Sequence, residues 1–161
     1  VDLADDLTIT GRFDRIDFLD DGRPLVIDYK YSRSAKLRKL VKGHEEGVRV
    51  QGSIYLLAAE REFGCKPVGF LFAGLRGEVS WEGRHLPVSS LERYGEACTS
   101  EELGRMMDAA KEISLTTAAK IREGRIVPEP ADPDLCLHCD FADICRFETA
   151  VKAVAAGEVD E

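Results

Sequence analysis

The sequence predicts a mixed α/β domain, and three observations carry that reading. Two β-rich stretches, residues 7–19 and 24–30, flank a turn-forming Asp20-Asp21-Gly22. A helical pattern over Gly47–Phe63 is followed by two further strand-like segments, "KPVGFLFAGL" and "GEVSWEG". A long segment opened by a capping box then completes the order strands, helix, strands, helix, which suits one α/β layer structure.

Each element has a local cause. The first two stretches are punctuated by Asp-Asp-Gly, which favours a hairpin connection. Val50, Ile54, Leu57 and Ala58 recur at helical spacing among polar residues, and Gly64 ends the pattern. The next two strands meet near Arg76-Gly77. Thr99 followed by Glu102 forms the capping box of a helix expected to reach about Glu123, with its stop at Gly124. "VPEPADPD" reads as a linker, because its three prolines oppose regular pairing. Three cysteines and a short terminal helix follow. The expected division is a core over 1–127 and a cysteine-rich tail over 128–161. No repeat or low-complexity segment is present.

Composition bounds the function. A chain of 161 residues, 44% hydrophobic and 32% charged, is neither disordered nor membrane-embedded. No apolar run approaches the ~20 residues of a membrane span. No secretory signal is visible, and five cysteines without one suit a reducing, cytoplasmic setting. The opening Val-Asp-Leu reads as the cut end of something longer. Cys65 and Cys98 stand alone and are expected to be buried or inert; His44, His85 and His138 are expected at the surface. A net charge of −8 argues against coating nucleic acid through bulk electrostatics. Between Lys30 and Lys42, however, there are six cations (Lys30, Arg33, Lys36, Arg38, Lys39 and Lys42) and no acid. Such a run is either a solvated loop or a local field that holds phosphates.

The carboxylates in "GRFDRIDFLDDGRPLVIDYK" pose the sharper question, since acids have low strand propensity and repel one another. On a strand, Asp28 and Lys30 share one face and Tyr29 takes the other. Which acid faces Asp28 depends on the hairpin loop. A two-residue turn at Asp21-Gly22 brings Asp17 to that face. A three-residue loop, Asp20-Asp21-Gly22, pairs Leu19 with Arg23 and sets Asp14 directly opposite Asp28, with Gly22 in the left-handed region. Opposed Cβ atoms lie about 4.5–5.5 Å apart. Two carboxylates so close call for a cation between them, and oxygen-only ligation suits Mg²⁺ or Mn²⁺.

"GRFDRID…VIDYK" followed by "QGSIY" resembles the PD-(D/E)XK nuclease superfamily, in particular its RecB-like, AddB-type exonuclease branch. That pattern is G-x-x-D, then D-x-K, then Q-x-x-x-Y on a helix. The resemblance implies a restriction-endonuclease-like core, a mixed sheet flanked by helices. It makes Asp14 and Asp28 the metal-binding acids, with Asp17 as the alternative to Asp14, and Lys30 the catalytic lysine. It also implies that the Tyr29 carbonyl can ligate the metal and that Gln51 and Tyr55 position the lysine, water or phosphate. Arg33, Lys36, Arg38, Lys39 and Lys42 then become candidates for contacting the DNA backbone.

Cys136, Cys139 and Cys145 form C-x2-C-x5-C, a spacing that lets thiolates converge on one metal. One reading is zinc, with His138 or a distant residue as fourth ligand. The resemblance, here to AddB-type helicase–nucleases and CRISPR-associated RecB-like exonucleases, instead implies a [4Fe–4S] cluster whose fourth cysteine lies upstream of this sequence. The expected function is a Mg²⁺-dependent DNA exonuclease domain acting with a helicase in double-strand-break repair and recombination, with no membrane role. A catalytically silent DNA-binding or scaffold module with the same fold is the alternative, and a zinc protein for protein contacts a third.

Overall fold

The computed structural model describes residues 1–125, 127, 128, 130, 136 and 139–145. These belong to two compact units, Val1–Ala118 and Ala119–Glu161. The first holds a five-stranded mixed sheet in the order β3 (Arg15–Phe18), β4 (Pro24–Lys30), β5 (Gly69–Gly74), β6 (Ser80–His85), β7 (Glu96–Ala97), with a two-stranded β1-β2 hairpin (Asp2–Ala4 and Leu7–Thr8) beside it in sequence.

The first expected strand is shorter than its composition suggested. Leu7–Thr8 pairs with β1, and the sheet strand β3 begins only at Arg15 and runs to Phe18. Strand β4, Pro24–Lys30, pairs with it antiparallel, with Arg15 opposite Ile27 and Phe18 opposite Pro24. The connection is the three-residue loop. Leu19 N–H donates to the Arg23 carbonyl at 3.0 Å, Gly22 N–H to the Leu19 carbonyl at 2.8 Å, and Gly22 has φ +81°. A positive φ costs glycine nothing, which is why the loop closes there.

On its other edge β4 runs parallel to β5 (Gly69–Gly74), from Leu25 beside Gly69 to Lys30 beside Gly74. β6 (Ser80–His85) is antiparallel to β5, and the two-residue β7 (Glu96–Ala97) extends β6 in parallel. β4 and β5 are almost wholly buried, so they read as continuous apolar runs rather than alternating ones.

A parallel pair needs a crossover, and here it contains two helices. The second, α2, spans Gln51–Phe63 and ends on Gly64 in the left-handed region, four residues later in its start than the periodicity implied. The first, α1 (Ser34–Glu45), is a correction: the basic stretch was read as a run of charge, and it is a helix. Leu37, Val41 and His44 recur along its buried side, while Arg33 as N-cap and Lys36, Arg38, Lys39 and Lys42 are exposed. Ser34 and Arg38 both reach Glu82 of β6, at 2.6 and 3.4 Å, pinning α1 to the sheet.

The core on this face joins Val26, Phe70 and Phe72 to Leu37 and Val41 of α1, Leu56 and Ala59 of α2, and Leu103 and Met106 of α3 (Ser100–Arg122). The opposite face gathers Leu25, Ile27, Val68, Leu71 and Ala73 around Leu91 of a short 3-10 turn, Ser89–Leu91. Helix α3 opens as expected: Thr99 Oγ1 accepts the Glu102 N–H at 3.1 Å, and Glu102 accepts the Thr99 N–H at 2.8 Å.

The side of α2 against the sheet carries Leu56 and Ala59 rather than the Val50, Ile54 and Leu57 of the helical pattern. Val50 and Leu57 pack with Ile54 near Leu3 and Ala110, whereas Gly52, Ser53, Leu56 and Ala59 are buried. A Cβ on Gly52 would stand 2.8 Å from the Phe70 ring, so small residues set how closely helix and sheet approach.

Two histidines expected at the surface are buried, His44 and His85 at 2% exposure each. His44 bridges two helices: Nδ1 lies 2.7 Å from the Leu40 carbonyl, and Nε2 accepts the Gly52 N–H at 2.8 Å. That fixes the neutral tautomer with Nδ1 protonated. α2 has no side-chain cap of its own, and His44 satisfies one of its first-turn amides. His85 Nδ1 lies 2.8 Å from the Leu86 carbonyl. His138 lies outside the described residues, as do most of the proline-rich segment and everything after Cys145. In the second unit, Cys139 N–H donates to the Cys136 carbonyl at 3.3 Å, and Cys145 ends the single-turn α4, Ala142–Cys145. No described helix is long and apolar enough to cross a membrane.

Candidate active site

The three-residue loop determines what meets at the C-terminal end of β4. The β3–β4 register ends with Arg15 opposite Ile27, so Asp14, just before β3, is the next residue in line towards Asp28. The Asp14 carboxylate continues the ladder in place of backbone: its Oδ2 accepts the Tyr29 N–H at 2.9 Å. Asp17 falls on the other face. Both its oxygens are held by the Arg15 guanidinium at 2.6 Å, and Arg15 also donates to the Tyr29 hydroxyl at 3.3 Å. Asp17 therefore takes no part in the Asp28 cluster.

Asp28 is 4% exposed, paired with Phe72 of β5 and met by Gln51 of α2. Burial of a carboxylate is costly unless cations and donors compensate. Lys30 Nζ lies 2.7 Å from Asp28 Oδ2, and Gln51 Nε2 donates to Asp28 Oδ1 at 3.1 Å. Gln51 Oε1 in turn accepts from Lys30 Nζ at 2.9 Å, closing a ring of acid, amide and ammonium. Gln51 Nε2 also reaches the Tyr55 hydroxyl at 3.2 Å, one helical turn further on. Tyr55 stacks edge-on against Phe13, with ring centroids 5.5 Å apart. The Lys30 ammonium sits over the Phe72 ring at 5.6 Å, an added cation–π attraction.

Of the residues singled out in the sequence, Asp14, Asp28, Tyr29, Lys30, Gln51 and Tyr55 thus converge through hydrogen bonds and ion pairs. The five other basic residues lie along the exposed side of α1, where Arg38 pairs with Glu82 and Lys42 with Glu46, 3.4 and 3.3 Å away. Cys65 and Cys98 are half-buried, and burial pushes the Cys98 thiol up, with the Glu102 charge adding to it, which suits an unreactive thiol. The sequence reading missed His44, although Leu37, Val41 and His44 recur at helical intervals and could have exposed it.

A family model for the PD-(D/E)XK nuclease superfamily matches residues 1–146. The chain belongs to the PD-(D/E)XK nuclease superfamily. No curated protein and no solved structure matches it. The five-stranded mixed sheet with its flanking helices agrees with a PD-(D/E)XK, restriction-endonuclease-like fold. PD-(D/E)XK proteins are usually nucleases and commonly use divalent metals, so the donor set bears testing against one. Asp28 Oδ2 is buried with no hydrogen-bond donor of good geometry, only the Lys30 ion pair. Asp14, whose Oδ2 accepts the Tyr29 N–H, and Asp28 both offer carboxylate oxygens, and that chemistry fits a hard divalent cation. Among the described residues no group of three or more His, Cys, Asp or Glu side chains is arranged to hold a metal ion. Among the described residues no such group includes Cys136, Cys139 or Cys145, and Cys139 and Cys145 are exposed.

Proposed function

We propose that this PD-(D/E)XK chain is a metal-dependent DNA exonuclease domain of the RecB/AddB kind, acting in the cytoplasm with a helicase in double-strand-break repair and recombination. The observation that carries the reading is the ring of Asp28, Lys30 and Gln51, with Asp14 just before the adjoining strand. A helical glutamine that holds the acid and the lysine at once has little purpose in a surface ion pair, and it keeps both groups at fixed distance for chemistry.

In this reading Asp14, Asp28 and the Tyr29 carbonyl hold Mg²⁺ or Mn²⁺. When bound, that ion supplies charge neutralisation at the phosphate and an acidified water. Lys30 orients the attacking water or adds positive charge at the phosphate oxygens. Gln51 holds the lysine and the acid in register, and Tyr55 steadies the glutamine and offers its hydroxyl to the phosphate. Arg33, Lys36, Arg38, Lys39 and Lys42 contact the DNA backbone from α1. Support comes from the unacidic first turn of that helix, whose N-terminal dipole adds to their charge. The resemblance to RecB-like exonucleases implies a [4Fe–4S] cluster on Cys136, Cys139 and Cys145, with a fourth cysteine from outside this sequence.

The decisive experiment measures degradation of end-labelled single-stranded DNA with Mg²⁺ or Mn²⁺, beside calorimetric titration of Mn²⁺. Asp28→Asn and Lys30→Met should each cost at least about a hundredfold in rate, and Asp28→Asn should abolish Mn²⁺ binding. Cleavage that survives both substitutions refutes the assigned site. DNA binding without cleavage or Mn²⁺ uptake would mark a silent scaffold instead.

A further inference from the structure

On the side of Lys30 and Gln51 facing the end of α1 lies a hollow of about 410 Å³, bounded also by Leu40, Val48, Arg49 and Phe72. Its volume is in the range of ligand sites. What distinguishes it is sign. The chain carries 30 acids against 22 Lys and Arg, yet the hollow's lining includes Lys30 and Arg49 and no carboxylate. Its histidine, His44, has its pKa lowered by burial, with the Arg49 and Lys30 charges adding to that effect, so both cations lie within electrostatic reach of one ring.

Arg49 is held there by its backbone. α1 ends in a Schellman motif: Gly47, φ +71°, donates to the His44 carbonyl at 3.2 Å, and Val48 N–H donates to the Gly43 carbonyl at 2.8 Å. Arg49 N–H shares that Gly43 carbonyl, also at 2.8 Å. Its side-chain stem then lies across Gly43, where a Cβ would stand only 2.6 Å from Arg49 Cγ. The guanidinium is exposed, and no ion pair engages it among the described residues. An arginine whose stem is seated on a glycine, and whose head has no acid, is preorganised for an external anion. Its planar fork matches a phosphate better than an ammonium would.

We propose that this hollow is the subsite for the nucleotide next to the scissile phosphate, with Arg49 taking that neighbouring phosphate and Leu40 and Val48 lying against its sugar and base. The proposal rests on the nucleic-acid reading above. It adds a residue outside the acid-lysine ring and assigns Gly43 the task of leaving room for it.

The test uses the full chain in EDTA, which removes cleavage, and a labelled single-stranded thymidine 12-mer titrated across a salt series. Arg49→Ala should weaken binding roughly tenfold at low salt and reduce the slope of log K against log salt by about 0.7, the value for one single-strand phosphate contact. Gly43→Ala, which keeps Arg49 in the sequence and favours helix but sets a Cβ against its stem, should produce a loss in the same direction. An adenosine 12-mer should show the same changes, since a phosphate contact is indifferent to base. If wild type binds and Arg49→Ala leaves affinity and slope unchanged, the subsite is wrong while the nuclease reading stands. If the loss appears for one base only, the phosphate assignment is wrong. If wild type binds neither oligonucleotide, the nucleic-acid reading fails and takes the subsite with it.

Discussion

His44 joins the end of α1 to the start of α2, the turn that carries Gln51, and its removal has a calculable effect. His44→Phe keeps a ring in a space bounded by Phe70 and Phe72, whose centroids lie 5.1 and 5.5 Å from the imidazole. It removes the acceptor for the buried Gly52 N–H, and a buried amide left unpaired costs about 1–3 kcal/mol. The wild-type advantage should also depend on pH. Burial lowers the folded His44 pKa, whereas the unfolded chain titrates near 6.5. Below about 6.5 the unfolded state therefore binds the extra proton, and native stability falls with acid, at up to about 1.4 kcal/mol per pH unit from this one group. Above 6.5 the contribution is complete. Urea unfolding of wild type and His44→Phe at pH 8 and pH 5 separates these effects, because other titrating groups cancel in the difference. The advantage should be about 1–3 kcal/mol at pH 8 and smaller at pH 5. An advantage that is absent at pH 8, or that grows on acidification, would refute the bridging role.

Asp17→Asn should leave nuclease rate within about twofold and stability within about 1 kcal/mol, since it breaks only an exposed pair with Arg15; a large loss of rate alone would reopen the choice between Asp14 and Asp17. Thr99→Ala removes the hydroxyl of the α3 capping box and should cost about 0.5–2 kcal/mol in urea unfolding, with Thr99→Ser restoring most of it. Reversing Lys36 and Lys39 to Glu should weaken DNA binding at low salt and flatten its salt dependence, as read by fluorescence anisotropy. Unchanged affinity would return that side of α1 to a merely solvated surface.

The sequence disclosed those parts of the fold whose cause is local. Gly22 permits the three-residue loop, Gly64 stops α2, and Thr99 with Glu102 starts α3; in each case one or two side chains act on the backbone beside them. The acid opposite Asp28 was harder, because moving the loop by one residue exchanges Asp14 for Asp17 and both loops suit Asp-Asp-Gly. Helix α1 was hidden by composition: its cations dominate the stretch, while only Leu37, Val41 and His44 recur on the inner side. The tight side of α2 was hidden by size. Gly52, Ser53 and Ala59 carry almost no hydropathy signal, yet they decide how near the helix comes to Phe70. The Gln51 bridge depends on that approach and could not be read from spacing alone.

The strands that carry Asp14 and Asp28 also differ in how firmly they are held. β4 is paired with β5 from Leu25 to Lys30 and with β3 over Pro24–Ile27, so its β5-facing amides should exchange with solvent only when the whole sheet melts. Asp14 precedes an outermost four-residue strand, where fraying is cheap. In mild denaturant the two acids should therefore part company before the protein unfolds, with Asp28 and Lys30 still side by side on a protected strand.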